Sequence, residues 1–110
     1  PVFVTLSDGS IRNGYTFKIL NKTRETHRYG LDISGIAGAT VNVVGADGVT
    51  PVGETVMLEA RADSVATYRL YVAAPRTVLG NESTPLHFQL TDLKPGSNAG
   101  YVSVFLGPKK

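Results

Sequence analysis

Hydrophobic and polar residues alternate with a period of two along most of the chain. This spacing places one row of side chains inward and the next outward, as in half-buried antiparallel strands. The inward rows it predicts are Val2, Val4 and Leu6; Tyr15, Phe17 and Ile19; Tyr29, Leu31 and Ile33; Val41 and Val43; Val56, Leu58 and Ala60; Tyr68, Leu70 and Val72; Leu86, Phe88 and Leu90; and Val102, Val104 and Leu106. Because no segment keeps a 3.6-residue apolar period over three turns, we expect seven or eight strands and no long helix.

Turn-forming residues separate these rows at intervals of about ten residues. They are Asp8-Gly9, Asn13-Gly14, Asn21-Lys22, Gly35 to Gly38, Asp47-Gly48, Gly80-Asn81 and Pro95-Gly96. Prolines are expected at strand ends, where a missing N–H is tolerated; they are Pro51, Pro75, Pro85 and Pro108. The fold class is therefore all-β, an antiparallel β-sandwich of the immunoglobulin or fibronectin type III kind.

The chain has 110 residues, which suits one domain spanning residues 1–110. It contains no Cys and no Trp, so the sandwich has no disulfide and lacks the core Trp of antibody domains. We expect the aliphatic rows to form the core together with five aromatic side chains, Tyr15, Phe17, Tyr29, Tyr68 and Phe88. Because the chain starts at Pro1 and enters a strand pattern at once, it is interpreted as a domain cut from a longer protein.

Composition excludes several classes of function. The net charge is +2 and the pI about 9.1, with basic residues scattered rather than interleaved with aromatics, so no nucleic-acid partner is predicted. The absence of Cys excludes iron–sulfur and thiolate zinc sites within this chain. No apolar run approaches the roughly 20 residues of a membrane span.

Residues able to carry chemistry are few. The borderline metal ligands are His27, His87 and Met57, about 30 residues apart, so structural or surface roles are favoured over a copper or zinc contact. No pair of carboxylates is singled out for hydrolysis, and no nucleophile elbow or phosphate-binding loop occurs. We predict neither a catalytic site nor a bound cofactor.

Two groups of basic residues suggest a contact surface for a partner instead of a catalytic or metal site. Arg12 lies in the segment SDGSIRNGY and could bind a partner, although a hydrogen-bonded corner formed by Ser7, Asp8, Ser10, Arg12 and Asn13 is favoured. The basic loop from Lys22 to Arg28 is the other candidate, which makes the predicted partner-binding residues Arg12, Lys22, Arg24 and Arg28. Two triplets, Asn21-Lys22-Thr23 and Asn81-Glu82-Ser83, match the glycosylation motif, a pattern that arises often by chance.

The segment LSDGSIRNGYTFKILNKT and the following HRYGLDISG resemble the C-terminal immunoglobulin-like domain of the FixG family, also called CcoG, the cytochrome c oxidase accessory proteins. The segments YRLYVAAP, HFQLTD and VSVFLGP follow in the family's order. The resemblance implies that the parent is a bacterial inner-membrane protein that carries 4Fe-4S clusters outside this chain. It further implies a periplasmic location for this domain and a parental role in assembling cbb3-type oxidase and in reducing copper for it.

We therefore expect a non-catalytic periplasmic domain, excised from a larger membrane protein, that mediates interaction in oxidase maturation. Its partners would be the rest of the parent protein and an oxidase subunit or copper chaperone, and it could also hold a homo-oligomer. The alternatives are a copper-handling module using His27, His87 or Met57, and an adhesin or carbohydrate-binding sandwich. The last would need an exposed aromatic row, for which Phe3, Tyr71, Tyr101 and Phe105 are candidates.

Overall fold

A computed structural model describes residues 3–45, 48–80 and 82–108. This part of the chain contains nine strands and one turn of 3-10 helix at Arg76–Val78. The strands are β1 (Val4–Thr5), β2 (Ile11–Asn21), β3 (His27–Ser34), β4 (Thr40–Val43), β5 (Thr50–Pro51), β6 (Val56–Ala60), β7 (Ser64–Ala74), β8 (Ser83–Asp92) and β9 (Asn98–Leu106).

The strands form two antiparallel sheets. Sheet A has the order β1-β2-β7-β4-β5, and sheet B has the order β6-β3-β8-β9. The predicted all-β two-sheet architecture is confirmed. The nine strands exceed the expected seven or eight because β5 is a pairing of only two residues, too short to produce an alternation in the sequence. No described helix is long and apolar enough to cross a membrane.

The core lies between the sheets and is built from alternate residues of nearly every strand. Its buried hydrophobic residues are Ile11, Ile19, Tyr29, Leu31, Ile33, Ile36, Ala39, Val41, Val56, Leu58, Ala60, Leu70, Val72, Ala74, Leu79, Leu86, Phe88 and Phe105. The predicted inward rows of β3, β6, β7 and β8 are confirmed. Of the expected core aromatics, Tyr29 and Phe88 are buried, whereas Tyr15, Phe17 and Tyr68 are partly buried and pack against the core.

The first and last rows were assigned to the wrong face. In β9, Phe105 is fully buried while Val102 is 71% exposed, the reverse of the prediction. The segment YVSVFL carries apolar residues on both rows, so alternation could not select the buried one, and the large Phe105 ring fills the space between the sheets. At the other end of the chain, Val4 pairs with Arg12 on the outer face of sheet A, and Phe3 packs against the core. Val2 lies outside the described residues.

The predicted turn at Asn13-Gly14 is wrong, because both residues lie inside β2. The Asn13 side chain is buried and crosses between the sheets. Its Nδ2 donates to the Leu106 carbonyl at 2.8 Å, and its Oδ1 accepts from the Leu106 N–H at 2.9 Å. Asn13 thus acts as a strand partner for the backbone of β9, which explains why a turn-forming residue occurs within a strand.

Two tyrosines make further polar links between the sheets. Tyr15 Oη donates to the Val104 carbonyl at 2.8 Å, joining β2 to β9. Tyr68 Oη on β7 accepts from the Glu59 N–H at 3.0 Å and donates to the Glu59 carbonyl on β6. Each link satisfies a backbone group that has no strand partner, in a sandwich without a disulfide.

Asn21 ends β2, as predicted, and fixes the loop that follows. Its buried amide donates to the carbonyls of Glu25, Ala60 and Arg61, and its Oδ1 accepts from the N–H and hydroxyl of Thr23. An amide so fully bonded is a structural group, and glycosylation of Nδ2 would replace a hydrogen that it donates in these contacts.

The other predicted turns vary in outcome. The turns at Asp8-Gly9, Gly35 to Gly38 and Pro95-Gly96 are present, and Gly9 adopts a φ of 89° that favours glycine. Asp47 and Asn81 lie outside the described residues. Pro85 is not at a strand end but within β8, paired with Val104. The position tolerates proline because β3 stops pairing with β8 at His87, which leaves the other side of Pro85 without a strand.

Candidate functional site

The three predicted metal ligands do not converge. Met57 lies opposite Gly30 and His87 opposite Ser34, on the two strands that flank β3. The strand rise and spacing place their backbones about 16 Å apart. His27 is at the opposite end of β3 from His87, about 23 Å along the strand. Among the residues described, no group of three or more His, Cys, Asp or Glu could hold a metal ion.

His27 has a structural partner instead. Its Nδ1 lies 2.7 Å from Asp92 Oδ2, with both side chains largely buried. Asp92 Oδ1 also accepts the Lys94 N–H at 3.1 Å, which fixes the turn after β8. Burial and, secondarily, the Asp92 carboxylate raise the pKa of Tyr29. This pair ties β3 to β8 at one end of sheet B.

The four predicted partner-binding residues lie on three different surfaces. Lys22 and Arg24 are exposed in the loop between β2 and β3. Arg28 is on the outer face of sheet B, opposite Glu59 in the neighbouring strand. Arg12 is on sheet A, ten residues or about 33 Å along β2 from Lys22. No single patch therefore contains all four residues.

Arg12 does not join the hydrogen-bonded corner that the sequence favoured. That corner consists of Asp8 and Ser10. The N–H and the hydroxyl of Ser10 donate to Asp8 Oδ1 at 2.9 and 2.6 Å. These bonds lower the pKa of the Asp8 carboxyl. The guanidinium carbon of Arg12 lies 4.2 Å from the centre of the Tyr71 ring on the next strand, so Arg12 is held on the outer face of sheet A as a cation–π partner.

A second arginine contacts the same ring. The guanidinium of Arg69 is 5.4 Å from the Tyr71 centroid, and its Nη1 donates to Thr16 Oγ1 at 3.2 Å. Arg69 lies across Gly14, where any side chain would collide with the guanidinium. The absence of a side chain at Gly14 thus makes room for a stack of two cations around one tyrosine.

This surface, the basic face, is the outer face of β2, β7 and β4. Its outward residues are Arg12, Gly14, Thr16, Lys18 and Leu20 on β2; Val65, Thr67, Arg69, Tyr71 and Ala73 on β7; and Thr40 and Asn42 on β4. It carries three cations and, among these strand positions, no carboxylate. The structure describes no ion pair for Arg12, Lys18 or Arg69. Their charges are therefore available to an acidic partner.

The sequence had singled out only Arg12 of the three cations. Arg69 and Lys18 reach the same face because β2 and β7 pair with Thr16 opposite Arg69 and Gly14 opposite Tyr71. That register depends on the tertiary fold. The even-numbered positions of β2 and the odd-numbered positions of β7 were recognisable as outward, but not as neighbours.

The proposed aromatic row does not form. Phe105 is buried, Phe3 packs against the core, and Tyr71 is covered by Arg12. Tyr101 is 52% exposed, at the mouth of a cleft of about 320 Å³ between the sheets, with its ring centre 6.3 Å from that of Phe17. A flat aromatic platform for sugar binding is therefore not present among these four residues.

The sequence of the chain is similar to a known family of domains and to two curated proteins. Residues 1–108 match the family described as "IG-like fold at C-terminal of FixG, putative oxidoreductase". The chain is 38% identical over 95 residues to Protein RdxA of Cereibacter sphaeroides, which covers 86% of this chain and 18% of RdxA. It is 38% identical over 76 residues to the nitrogen fixation protein FixG of Rhizobium meliloti, covering 69% of this chain and 14% of that protein.

A solved structure shows the same fold. The crystal structure of a FixG-related protein from Vibrio parahaemolyticus superposes with a TM-score of 0.72 at 22% sequence identity, and covers 90% of this chain and 81% of that one. The chain spans less than a fifth of the curated relatives RdxA and FixG. More than four fifths of each of those two proteins lies outside the segment that matches this chain.

Proposed function

Given that this chain belongs to the family of immunoglobulin-like domains found at the C-terminus of FixG, we propose that it is a non-catalytic interaction domain. In this proposal the domain lies on the periplasmic face of the bacterial inner membrane as part of a larger membrane protein. It supports the assembly of cbb3-type cytochrome c oxidase by docking an oxidase subunit or a copper chaperone.

The basic face is the observation that carries the proposal. Arg12, Lys18 and Arg69 present three charges on one sheet, and the stack on Tyr71 holds both guanidinium groups in place. Preorganised arginines lose less side-chain entropy on pairing with carboxylates than mobile lysines do. Such a face steers an acidic partner and fixes its orientation more than it adds raw affinity.

The redox chemistry of the parent belongs elsewhere in this proposal. Copper reduction requires an electron carrier, and this chain has no Cys to hold an iron–sulfur cluster. The proposed 4Fe-4S clusters would lie in the remaining part of the parent protein. The domain would bring the oxidase subunit, which accepts copper, or the copper chaperone, which donates it, within reach of that part.

Charge reversal in the full-length parent protein tests the docking surface. The double variant Arg12→Glu/Arg69→Glu places two acids on the basic face, and we expect at least about a tenfold loss of co-purified oxidase subunit or copper chaperone. Assembled oxidase activity should fall with it. The conservative variant Arg12→Lys keeps the charge and should retain most of the binding.

Two matched variants separate this surface from the others. Arg61→Glu reverses a cation in the turn before β7 and should leave binding unchanged, provided that circular dichroism shows all variants folded. Lys22→Glu/Arg24→Glu tests the loop between β2 and β3. Docking through the basic face is contradicted if the Arg12→Glu/Arg69→Glu variant co-purifies as much partner as the natural protein does. It is also contradicted if only the Lys22→Glu/Arg24→Glu variant loses the partner.

A further inference from the structure

The four outer edges of the two sheets differ sharply. In sheet A, β5 is two residues long and contains Pro51, and β1 covers only Ile11 and Arg12 of β2. The rest of that β2 edge carries the charged Lys18, and charged residues, Lys above all, protect a sheet edge. In sheet B, β6 is five residues long, and both backbone groups of Glu59 at its free side are bonded to Tyr68. Short strands, prolines and covered backbone groups are the usual protections of a sheet edge.

The remaining edge, β9, is protected over only half of its length. It is nine residues long, NAGYVSVFL, with no charged residue and no proline. Both backbone groups of Leu106 bond to the Asn13 side chain, and the Val104 carbonyl accepts from Tyr15. These contacts show that the even-numbered residues direct their backbone groups away from β8, because alternate residues of an antiparallel strand face the same side.

The same direction holds for Asn98, Gly100 and Val102, which pair with β8 in unbroken register. Within the described residues, no hydrogen bond is made by the N–H or carbonyl groups of these three residues on the free side. The segment Asn98–Val102, the open half of β9, therefore offers three N–H groups and three carbonyls in a row.

We propose that the open half of β9 pairs antiparallel with the same segment of a second copy of this chain, with Gly100 on the two-fold axis. Asn98 then lies opposite Val102 of the second copy, and Gly100 opposite Gly100. Because each of the three pairs exchanges two bonds, the contact comprises about six backbone hydrogen bonds. The two four-stranded sheets B become one continuous eight-stranded sheet.

The sequence of the open half suits its own reversed copy. In the same register, Ala99 lies opposite Tyr101, so the exposed ring packs over a small residue rather than against another ring. The uncharged strands bring no like charges into opposition, which would destabilise cross-strand pairs. Glycine on the axis leaves no side chain to clash where the two chains cross.

The covered half of β9 excludes registers shifted toward Leu106, and a shift the other way would place Val102 opposite residues that precede the strand. A pairing centred on Val102 or beyond would require the backbone groups of Leu106, which Asn13 already occupies. The Tyr15 hydroxyl on the Val104 carbonyl acts against the same shift. One two-fold contact of limited length follows, rather than an open-ended growth of strands. This inference uses a different surface from the basic face and does not rest on the proposed function.

Cysteine cross-linking of the purified chain tests the pairing, because the natural sequence has no Cys. In Gly100→Cys the two Cα atoms would lie about 5.5 Å apart, within the range of a disulfide. We expect it to form a covalent dimer under mild oxidation at least about tenfold faster than Val65→Cys, an exposed position on sheet A. Equal rates for the two variants overturn the proposal.

A mixture of two variants tests the register. Ala99→Cys and Tyr101→Cys occupy a directly opposed pair, so together they should give mainly the mixed disulfide, and each alone should cross-link slowly. Predominant self-linking of Tyr101→Cys would contradict the register centred on Gly100.

A charge on the axis provides an independent readout. Gly100→Lys is tolerated in the monomer, since an added Cβ would meet only the Phe88 carbonyl at 4.0 Å. Sedimentation equilibrium at about 1 mM chain should show association for the natural sequence and a monomer for this variant, and circular dichroism should show the same β-structure for both. A monomeric natural chain at that concentration would overturn the inference.

Discussion

The two halves of β9 belong to the same strand but have different roles. Residues 103–106 contain the buried Phe105 and receive the polar links from Asn13 and Tyr15. Residues 98–102 contain the exposed Tyr101 and Val102 and have a free backbone edge. One half is therefore part of the core and the other is a surface, so substitutions only a few residues apart should separate folding from association.

The largest expected effect is the loss of the Phe105 ring. Phe105→Ala removes a fully buried aromatic side chain and should lower the free energy of unfolding by about 3–5 kcal/mol. Tyr101→Ala, four residues earlier, should cost about 1 kcal/mol, because half of that side chain is already in water. Urea denaturation of the two variants measures the difference, and equal losses would remove the distinction between the halves.

The next effect concerns the polar link at the covered half. Asn13→Ala leaves both the N–H and the carbonyl of Leu106 without their partner and should cost about 2 kcal/mol. Asn98→Ala alters an exposed amide in the open half and should stay within about 0.5 kcal/mol of the natural chain. Denaturation midpoints report both values; a neutral Asn13→Ala would show that Asn13 does not hold β9.

Alkaline pH gives a smaller effect through Tyr15. Burial raises the pKa of Tyr15 to about 12. The folded chain then binds the phenolic proton more tightly than the unfolded chain, so the associated stability is complete below pH 10 and is lost between about pH 10 and 12. Because Tyr15 is only partly buried, we expect a loss of about 1–2 kcal/mol.

The variant Tyr15→Phe isolates that contribution. It should flatten the fall in unfolding free energy above pH 10, leaving the smaller part that comes from Tyr29, whose pKa is also raised. Val102→Thr in the open half removes no phenol and should keep the steep fall of the natural chain. An unchanged slope in Tyr15→Phe would mean that the phenol of Tyr15 remains as accessible in the folded chain as in the unfolded one.

The smallest effect is expected at Val102. Val102→Thr keeps the β-branched shape on a side chain that is 71% exposed, so the free energy of unfolding should change by less than about 0.5 kcal/mol. Thermal unfolding followed by circular dichroism is sufficient to measure it. A loss comparable with that of Asn13→Ala would place Val102 in the core rather than on the surface.

Alternation in the sequence predicted most of the fold and failed where both rows of a strand are apolar. The rows of β3 and β6 carry polar residues on the outer side, such as Asp32 and Glu59, so their phase was clear. In β9, valines on one row and Phe105 on the other left the phase undecided. Asn13-Gly14 resembled a turn because both residues are common in turns. The role of Asn13 inside a strand could not be read locally, since its side chain binds the backbone of Leu106, 93 residues away.

The candidate surfaces were less predictable than the fold. Arg12 was recognised from its position between turn signals, but its stack on Tyr71 and its neighbour Arg69 depend on the pairing of β2 with β7. The free edge of β9 could not be identified from the sequence either, since edge position is a property of strand order. Both surfaces arise from contacts between residues far apart in the chain.

The salt dependence of partner binding tests the central claim, docking through the basic face, most directly. The full-length parent protein is immobilised, and the retained oxidase subunit or copper chaperone is measured as salt rises from about 0.1 M to about 1 M, which shortens the Debye length from about 10 Å to about 3 Å. We predict a progressive loss of the natural protein's binding down to the low level of the Arg12→Glu/Arg69→Glu variant. Binding that stays constant across this range, and is equal in the variant, would contradict the claim.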